Sequence, residues 1–156
     1  MGQEIERKFL VVGDGWRRAA EGTLIRQGYI PTQDARTVRV RQAGDRAYIT
    51  LKGPAVGLAR PEFEYPIPLE DAQTILETLC QPPLIEKTRH RLPLGPVVWE
   101  IDEFWGDNQG LIVAEVELTD PDQVIERPDW LGTEVTNDLR YQNSNLARHP
   151  FTTWDV

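Results

Sequence analysis

The feature that most constrains this chain is an alternation of polar and apolar residues with a period of two, in which most polar positions are charged. Glu4, Glu6 and Lys8 alternate with Ile5, Arg7 and Phe9; Thr37, Arg39 and Arg41 alternate with Val38 and Val40. Thr50 and Lys52 alternate with Ile49 and Leu51, and Glu62 and Glu64 with Phe63 and Tyr65. Lys87, Arg89 and Arg91 share a parity with Ile85. Glu100 and Asp102 alternate with Trp99 and Ile101, and Glu115 and Glu117 with Ala114, Val116 and Leu118. Alternation at 180° per residue marks a strand with two unlike faces. A weaker segment at 24–30 brings the strands to about eight by this reading. Ala43-Gly44-Asp45 fits a tight hairpin, and the stretch from Gly53-Pro54 to Gly57 a longer loop. Helical periodicity runs over 69–80, where Ala72, Ile75, Leu76 and Leu79 form one stripe. A second helix is predicted over 137–148, with Thr136 as its cap, and short helices near 14–21 and 121–127.

Two architectures accommodate these strands. One is an open sheet whose charged face is solvated and laced by cross-strand ion pairs. The other is a closed barrel whose charged faces line a lumen while helices cover the apolar exterior. The charged parity is dense, and most strands carry one sign, which suits the barrel. Isolated buried ions are costly, so rows of opposite sign must then face one another or a ligand.

The rest of the composition narrows the setting. Among 156 residues, 40% are hydrophobic and 27% charged, as in an ordinary folded domain. The formal net charge of −8 argues against whole-surface attraction to nucleic acid, so a polyanion would need a local group of Lys and Arg. One cysteine, Cys80, excludes an intrachain disulfide and suits a reducing cytoplasm. No apolar run reaches the length of a membrane span, and no signal peptide is expected.

The opening Glu4-Ile5-Glu6-Arg7-Lys8-Phe9 carries the Glu-x-Glu-x-Lys pattern of the CYTH superfamily, the triphosphate tunnel metalloenzymes. Later blocks resemble the family in order: Arg39-Val40-Arg41, Thr50-Leu51-Lys52, Glu62-Phe63-Glu64, Glu86-Lys87-Thr88-Arg89, Glu100-Ile101-Asp102 and Glu115-Val116-Glu117. The tail from Thr136 to Asn143 resembles the family's C-terminal helix motif. The resemblance implies a single domain over 1–156 of α+β class. It would be an eight-stranded antiparallel closed β-barrel, a tunnel, flanked by a few helices including a C-terminal one. It implies a triphosphate substrate and a divalent metal, Mg2+ or Mn2+. Short chains of this kind most resemble the inorganic triphosphatase branch, with tripolyphosphate hydrolysed to phosphate and pyrophosphate. Processing of a nucleotide or organic triphosphate, as by class IV adenylate cyclase or thiamine triphosphatase, is the alternative, and non-catalytic polyphosphate binding is a third. The chain is expected as a monomer or homodimer.

The chemistry gives each row a task. A linear triphosphate spreads its charge over three groups, so its site needs distributed cations; Lys8, Arg39, Arg41, Lys52, Lys87, Arg89 and Arg91 supply them. Acidic rows would repel such a substrate unless hard cations bind their oxygens. Two Glu at i and i+2 point the same way, about 7 Å apart along a strand. By resemblance, Glu4 and Glu6 with Glu115 and Glu117 are the first choice for metal. Glu62, Glu64, Glu100 and Asp102 are second choices, for a second metal or for pairing with cations. Lys52, Tyr29 and Glu6 are the expected catalytic set. Parity places Arg26 and Tyr29 on opposite faces, so Tyr29 reaches the lumen if Gly28 makes a bulge and is otherwise a wall residue. Arg140 either caps the tunnel mouth or makes a surface salt bridge. His90, His149 and Cys80 show no zinc spacing and read as packing or surface residues. Trp99 and Trp105 are expected to cover the barrel exterior, and Arg7 to lie across the outer wall.

Overall fold

The computed structural model describes residues 2–18 and 21–154. The alternating stretches are strands: β1 (Gly2–Val11), β2 (Glu21–Ile30), β3 (Thr37–Ala43), β4 (Arg46–Lys52), β5 (Ala59–Ile67), β6 (Ile85–Leu94), β7 (Val97–Phe104) and β8 (Ile112–Glu117). A ninth, β9 (Leu131–Glu134), is four residues long. The sheet order is β5-β4-β3-β2-β6-β7-β8-β1-β9, and a further β5–β1 pairing closes the first eight strands into an antiparallel barrel. Closure is short, running from Gly2↔Glu62 to Ile5↔Ala59. Beyond it β9 takes over the same strand, pairing Phe9 with Glu134 and Val11 with Leu131.

Continuous registers fix the two faces. Arg41 stands opposite Gln27 and Tyr48, Arg39 opposite Tyr29 and Thr50, and Thr37 opposite Lys52. Lys87 stands opposite Ile25 and Phe104, and Arg89 opposite Asp102. Glu100 faces Glu115, and Glu117 faces Glu6. Because side chains alternate along every strand, these residues share the inner face. At one end the inner face turns apolar: Ile85, Phe104, Val113 and Leu10 pack with Tyr141 and Leu146 of the C-terminal segment.

Most of the apolar core lies outside the barrel wall. Phe9, Trp99, Ile101, Ala114 and Val116 project outward and are covered by Trp16, Leu118 and Trp130 from flanking segments. Trp99 sits edge-on to both Phe9 and Trp130, at ring-centroid distances of 5.7 and 5.4 Å. A second outer patch, Val40 and Ala47, is covered by Ala72 and Leu76 of α1 (Leu69–Thr78). This helix begins after Pro68, and Glu70 and Asp71 in its first turn favour its positive end. Trp105 is partly exposed and donates to Thr88 Oγ1 at 2.9 Å. Arg7 lies on the outer face, paired with Glu134 at 2.6 Å and 5.2 Å from the Phe9 ring centroid.

Three helix expectations need correction. Residues 14–18 form turns, tied by Arg17 N–H to Asp14 O, while Ala19 and Ala20 lie outside the described residues. The 121–127 segment is irregular, because side chains take over its backbone groups. Asp120 Oδ1 accepts from Asp122 N–H at 2.8 Å, and Gln123 Oε1 accepts from Thr119 N–H at 2.7 Å. The C-terminal helix is split into a 3-10 turn (Leu139–Tyr141) and α2 (Asn143–Arg148), with Gln142 extended between them. Asp138, not Thr136, caps the turn by accepting from Arg140 N–H; Thr136 Oγ1 instead accepts from Lys8 N–H at 3.0 Å.

Gly28 faces outward beneath the end of α1, where an added Cβ would stand 2.7 Å from both Cys80 Cβ and Leu84 Cδ2. Overpacking of this kind costs about 1–3 kcal/mol. Gly28→Val is therefore expected to lower the unfolding free energy by that amount, read as a lower urea midpoint at unchanged m-value. An unshifted midpoint would show that α1 floats free of β2.

Candidate functional site in the barrel lumen

The inner face gathers residues distant in sequence around a cavity of about 90 Å3. Glu6 and Lys8 of β1, Tyr29 of β2, Arg41 of β3, Lys52 of β4, Lys87 and Arg89 of β6 and Glu115 of β8 all line it. Toward the 31–36 loop it adjoins a surface cleft of about 490 Å3, and Tyr29, Thr37, Arg60, Gln142 and Ser144 line both.

Most lumen cations are paired. Lys52 Nζ lies 2.8 Å from Glu4 Oε2 and 3.5 Å from Glu62 Oε2. Lys8 Nζ lies 3.6 Å from Glu115 and donates to the Tyr141 carbonyl at 3.2 Å. Arg39 reaches Glu64 at 3.4 Å, and Thr50 Oγ1 donates to the same carboxylate at 2.9 Å. Asp102, 1% exposed, receives Lys87 Nζ at 2.8 Å and both Arg89 Nε and Nη2, at 2.8 and 2.9 Å. Arg89 also lies 3.4 Å from Glu100.

These neighbours set the protonation of the site. Burial alone would raise the Asp102 carboxyl, but Arg89 and Lys87 hold it far below the ordinary carboxylate range. Burial would likewise raise Glu115, yet Lys8 and Arg89 bring it to about 2. Burial opposes charge on Lys8, but Glu115 and Glu6 hold its pKa above the ordinary value. Lys87 is pulled down to about 7, chiefly by burial, with repulsion from Arg89 and Arg41 opposing the pull of Asp102. Arg41 falls to about 9 through burial, then through Arg39 and Arg89.

Two acids stand apart. Glu6 and Glu117 are cross-strand partners with no basic side chain within 4 Å among the described residues. Glu6 is pushed well above its ordinary pKa by burial and by the charges of Glu115 and Glu4. Glu117 is raised by burial, then by Glu62 and Glu4. Carboxylates crowded together without a cation suit a hard divalent metal, which would relieve that repulsion. Among the described residues no three acids already sit at metal-binding separation, so a metal would draw them together.

Tyr29 faces the lumen without any bulge: the β2–β3 register is unbroken from Ile25 to Ile30. The parity difficulty dissolves because Gln27, not Arg26, is its lumen neighbour. Arg91 keeps the inner parity but is exposed beside Glu21, away from the cavity lining. Arg140 takes the surface alternative, with its side chain 60% exposed and bonded to Asp138 at 2.7 Å. Four contributors escaped the charge-based reading: Gln27, Arg60, Asn143 and the Tyr141 carbonyl. Gln27 and Asn143 are neutral. Arg60 shares the parity of Glu62 and Glu64, but Pro61 breaks the pattern that would have reached it.

A closed antiparallel barrel with opposed cations and carboxylates on its inner wall defines the class to which this chain is confined. The chain belongs to the CYTH domain family, whose model matches residues 2–151. It is 50% identical over 151 residues to the inorganic triphosphatase of Acetivibrio thermocellus, covering 97% of each chain. The inorganic triphosphatase of Nitrosomonas europaea is 40% identical over 151 residues, covering 92% of this chain and 96% of that one. The crystal structure of an inorganic triphosphatase superposes with a TM-score of 0.66 at 35% identity, over 94% of this chain and 95% of the other. No helix among the described residues is long and apolar enough to cross a membrane.

Proposed function

We propose that the chain hydrolyses inorganic tripolyphosphate to phosphate and pyrophosphate with the aid of a divalent cation. The observation that carries this reading is one cavity in which Glu6, cross-strand partner of Glu117 and without a cation of its own, lies with Glu115 among cations delivered by several strands. A linear polyanion fits the cations, and a divalent ion fits the acids. The names of two relatives at 50% and 40% identity support the same activity.

In this reading Glu4, Glu6, Glu115 and Glu117 would hold the metal, Mg2+ or Mn2+. A bound divalent ion shields phosphate charge and lowers the pKa of water at its surface. Lys8, Arg41, Lys52, Lys87 and Arg89 bind the phosphate oxygens, and Arg39 supports the row through Thr50 and Glu64. Their charge stabilises the negative charge spread over the transferred phosphoryl group. Lys52 is held between Glu4 and Glu62, so substrate oxygens compete for an ammonium already fixed in place. Tyr29 lines the same cavity, with its hydroxyl receiving Gln27 Nε2–H at 2.9 Å and free to donate to a phosphate oxygen. The apolar end built by Ile85, Phe104 and Leu146 excludes bulk water from that side.

The test is phosphate release from tripolyphosphate with Mg2+ or Mn2+, with pyrophosphate and ATP in parallel. Metal-dependent turnover of tripolyphosphate well above ATP is expected, and Lys52→Ala should abolish most of it. Conversion of ATP to a cyclic product, with tripolyphosphate untouched, would refute the reading.

A further inference from the structure

Lys8, Arg39, Lys52, Lys87 and Arg89 each have a carboxylate oxygen within 4 Å, but Arg41 has none among the described residues. Its Nε donates to Gln27 Oε1 at 2.7 Å, and this is its one side-chain hydrogen bond among them. Its terminal nitrogens therefore remain unspent, in a side chain that lines the cavity. Gln27 is fully buried, and its own amide is consumed inside the chain. Its Nε2 donates to the Tyr29 hydroxyl at 2.9 Å and to Asn143 Oδ1 at 3.2 Å. Asn143 Oδ1 in turn receives Lys87 Nζ at 2.7 Å.

We infer that Gln27 is a positioning residue that orients Arg41 as a phosphate receptor free of any resident carboxylate; Arg60, the other lining cation without one, is tied instead to Gly53 O and Thr37 Oγ1. This rests on the reading of the lumen as a triphosphate site. The chemistry lies in the choice of an amide. A carboxylate at this position would hold the guanidinium equally well but would neutralise it, making incoming phosphate compete with a resident anion. A hydrocarbon would leave the guanidinium unaimed, and Tyr29 and Asn143 short of a donor. A neutral acceptor fixes the fork and leaves its charge for the substrate. The same amide joins β2 to the head of α2, so Arg41, Tyr29 and Lys87 are held in one bonded unit.

The test uses Gln27→Glu and Gln27→Met in the full chain. Isosteric Gln27→Glu gives Arg41 a carboxylate but takes the amide donor from Tyr29 and Asn143, so the two effects offset and it should fold with a melting temperature near the parent's. Its KM for tripolyphosphate should rise about tenfold or more, with kcat far less affected, because an interaction common to bound substrate and transition state is weakened. Gln27→Met should also raise KM, by less. In an Arg41→Met background, Gln27→Glu should add nothing further. Unchanged KM in either folded variant, full multiplication of the two effects in the double variant, or loss of folding by both single variants would each overturn the assignment. Calorimetric titration of the parent with tripolyphosphate separates the two readings. Failure of the parent to bind would defeat the triphosphate site itself. Binding by the parent with equal binding by Gln27→Glu would defeat only the role given to Gln27.

Discussion

Asp102→Ala is expected to lower the melting temperature by about 10 °C. Asp102 is the shared anion of Lys87 and Arg89, and its side chain and that of Lys87 are almost wholly excluded from solvent. Removing it leaves buried Lys87 with no carboxylate within 4 Å among the described residues and Arg89 with Glu100 alone, a change that costs about 3–5 kcal/mol. A domain of this size has about 5–15 kcal/mol in total, and each kcal/mol moves its melting point by about 2–4 °C. Lys87, already drawn down to about 7, would then shed its proton more readily, which limits the loss but removes a lumen charge. Replacing the carboxylate and ammonium together, as Asp102→Leu with Lys87→Met, should recover part of the stability while leaving activity low. Differential scanning calorimetry of the three proteins decides the matter. A shift under about 3 °C in Asp102→Ala would mean that water reaches these cations and that the lumen wall is open there. Sequence reasoning placed Asp102 among the second-choice metal ligands. Since Lys87 and Arg89 occupy both its oxygens, we read it as the anion that keeps those two cations in place.

Glu6→Gln is expected to have opposite effects on stability and on activity. Glu6 is half-buried beside Glu4 and Glu115 and has no basic partner within 4 Å among the described residues. Neutralising it in the metal-free protein removes repulsion, so the melting temperature should rise. Hydrolysis should nevertheless fall by about a hundredfold or more, since loss of mere supporting residues around a metal already costs about 10–100-fold. The pH dependence follows from the same neighbours. The folded pKa of Glu6 lies above its ordinary 4.5, so its contribution to stability is complete below about pH 4.5. That contribution is lost as pH rises through the folded value. Glu115 behaves in the reverse sense: with a folded pKa of about 2, it contributes above about pH 4.5 and loses that contribution as the solution is acidified toward pH 2. Metal-free protein should thus be most stable in mild acid, and Glu6→Gln should flatten the decline on the neutral side. Added Mg2+ or Mn2+ should raise the melting temperature of the parent near neutral pH and do so much less in the variant. Equal metal stabilisation of both proteins would remove Glu6 from the metal site.

The barrel was legible because its strands carry a two-residue period and one dense charged parity, and the lumen positions of Glu4, Glu6, Lys8, Lys52 and Glu115 follow directly. Where the reading failed, short-range chemistry outweighed periodicity. Asp120 and Gln123 turn the 119–123 chain through side-chain bonds that no helical stripe reveals. An extended Gln142 interrupts the C-terminal helix so that Asn143 can enter the lumen network. With only four residues, Gly132 among them, β9 gives too little alternation to register. Tyr29 was left undecided because Arg26, a charged residue, was tried as its lumen neighbour. The true neighbour, Gln27, carries no charge, and charge was the signal being followed. The pairing of particular acids with particular cations depends on strand order across the barrel, which one sequence does not display.

The short ladder between β1 and β5 has a consequence for how the chain reaches its native state. β1 finds its partners at residues 59–62, 112–117 and 131–134, so its pairing waits on segments separated from it by more than fifty residues, and for the longest ladder by about a hundred. Hairpins β2–β3, β3–β4, β4–β5 and β6–β7 are local and form early, but none encloses the lumen. Ring closure is a late, non-local step whose loop entropy is met only when β8 arrives. Until then the acids of β1 stand at an open edge, mutually repelling and solvated, which discourages that edge from recruiting another chain. Refolding from urea should therefore be slow, on the order of milliseconds to seconds, and should quicken as the pH falls toward about 4.5, where a growing share of solvated Glu6 is protonated before closure.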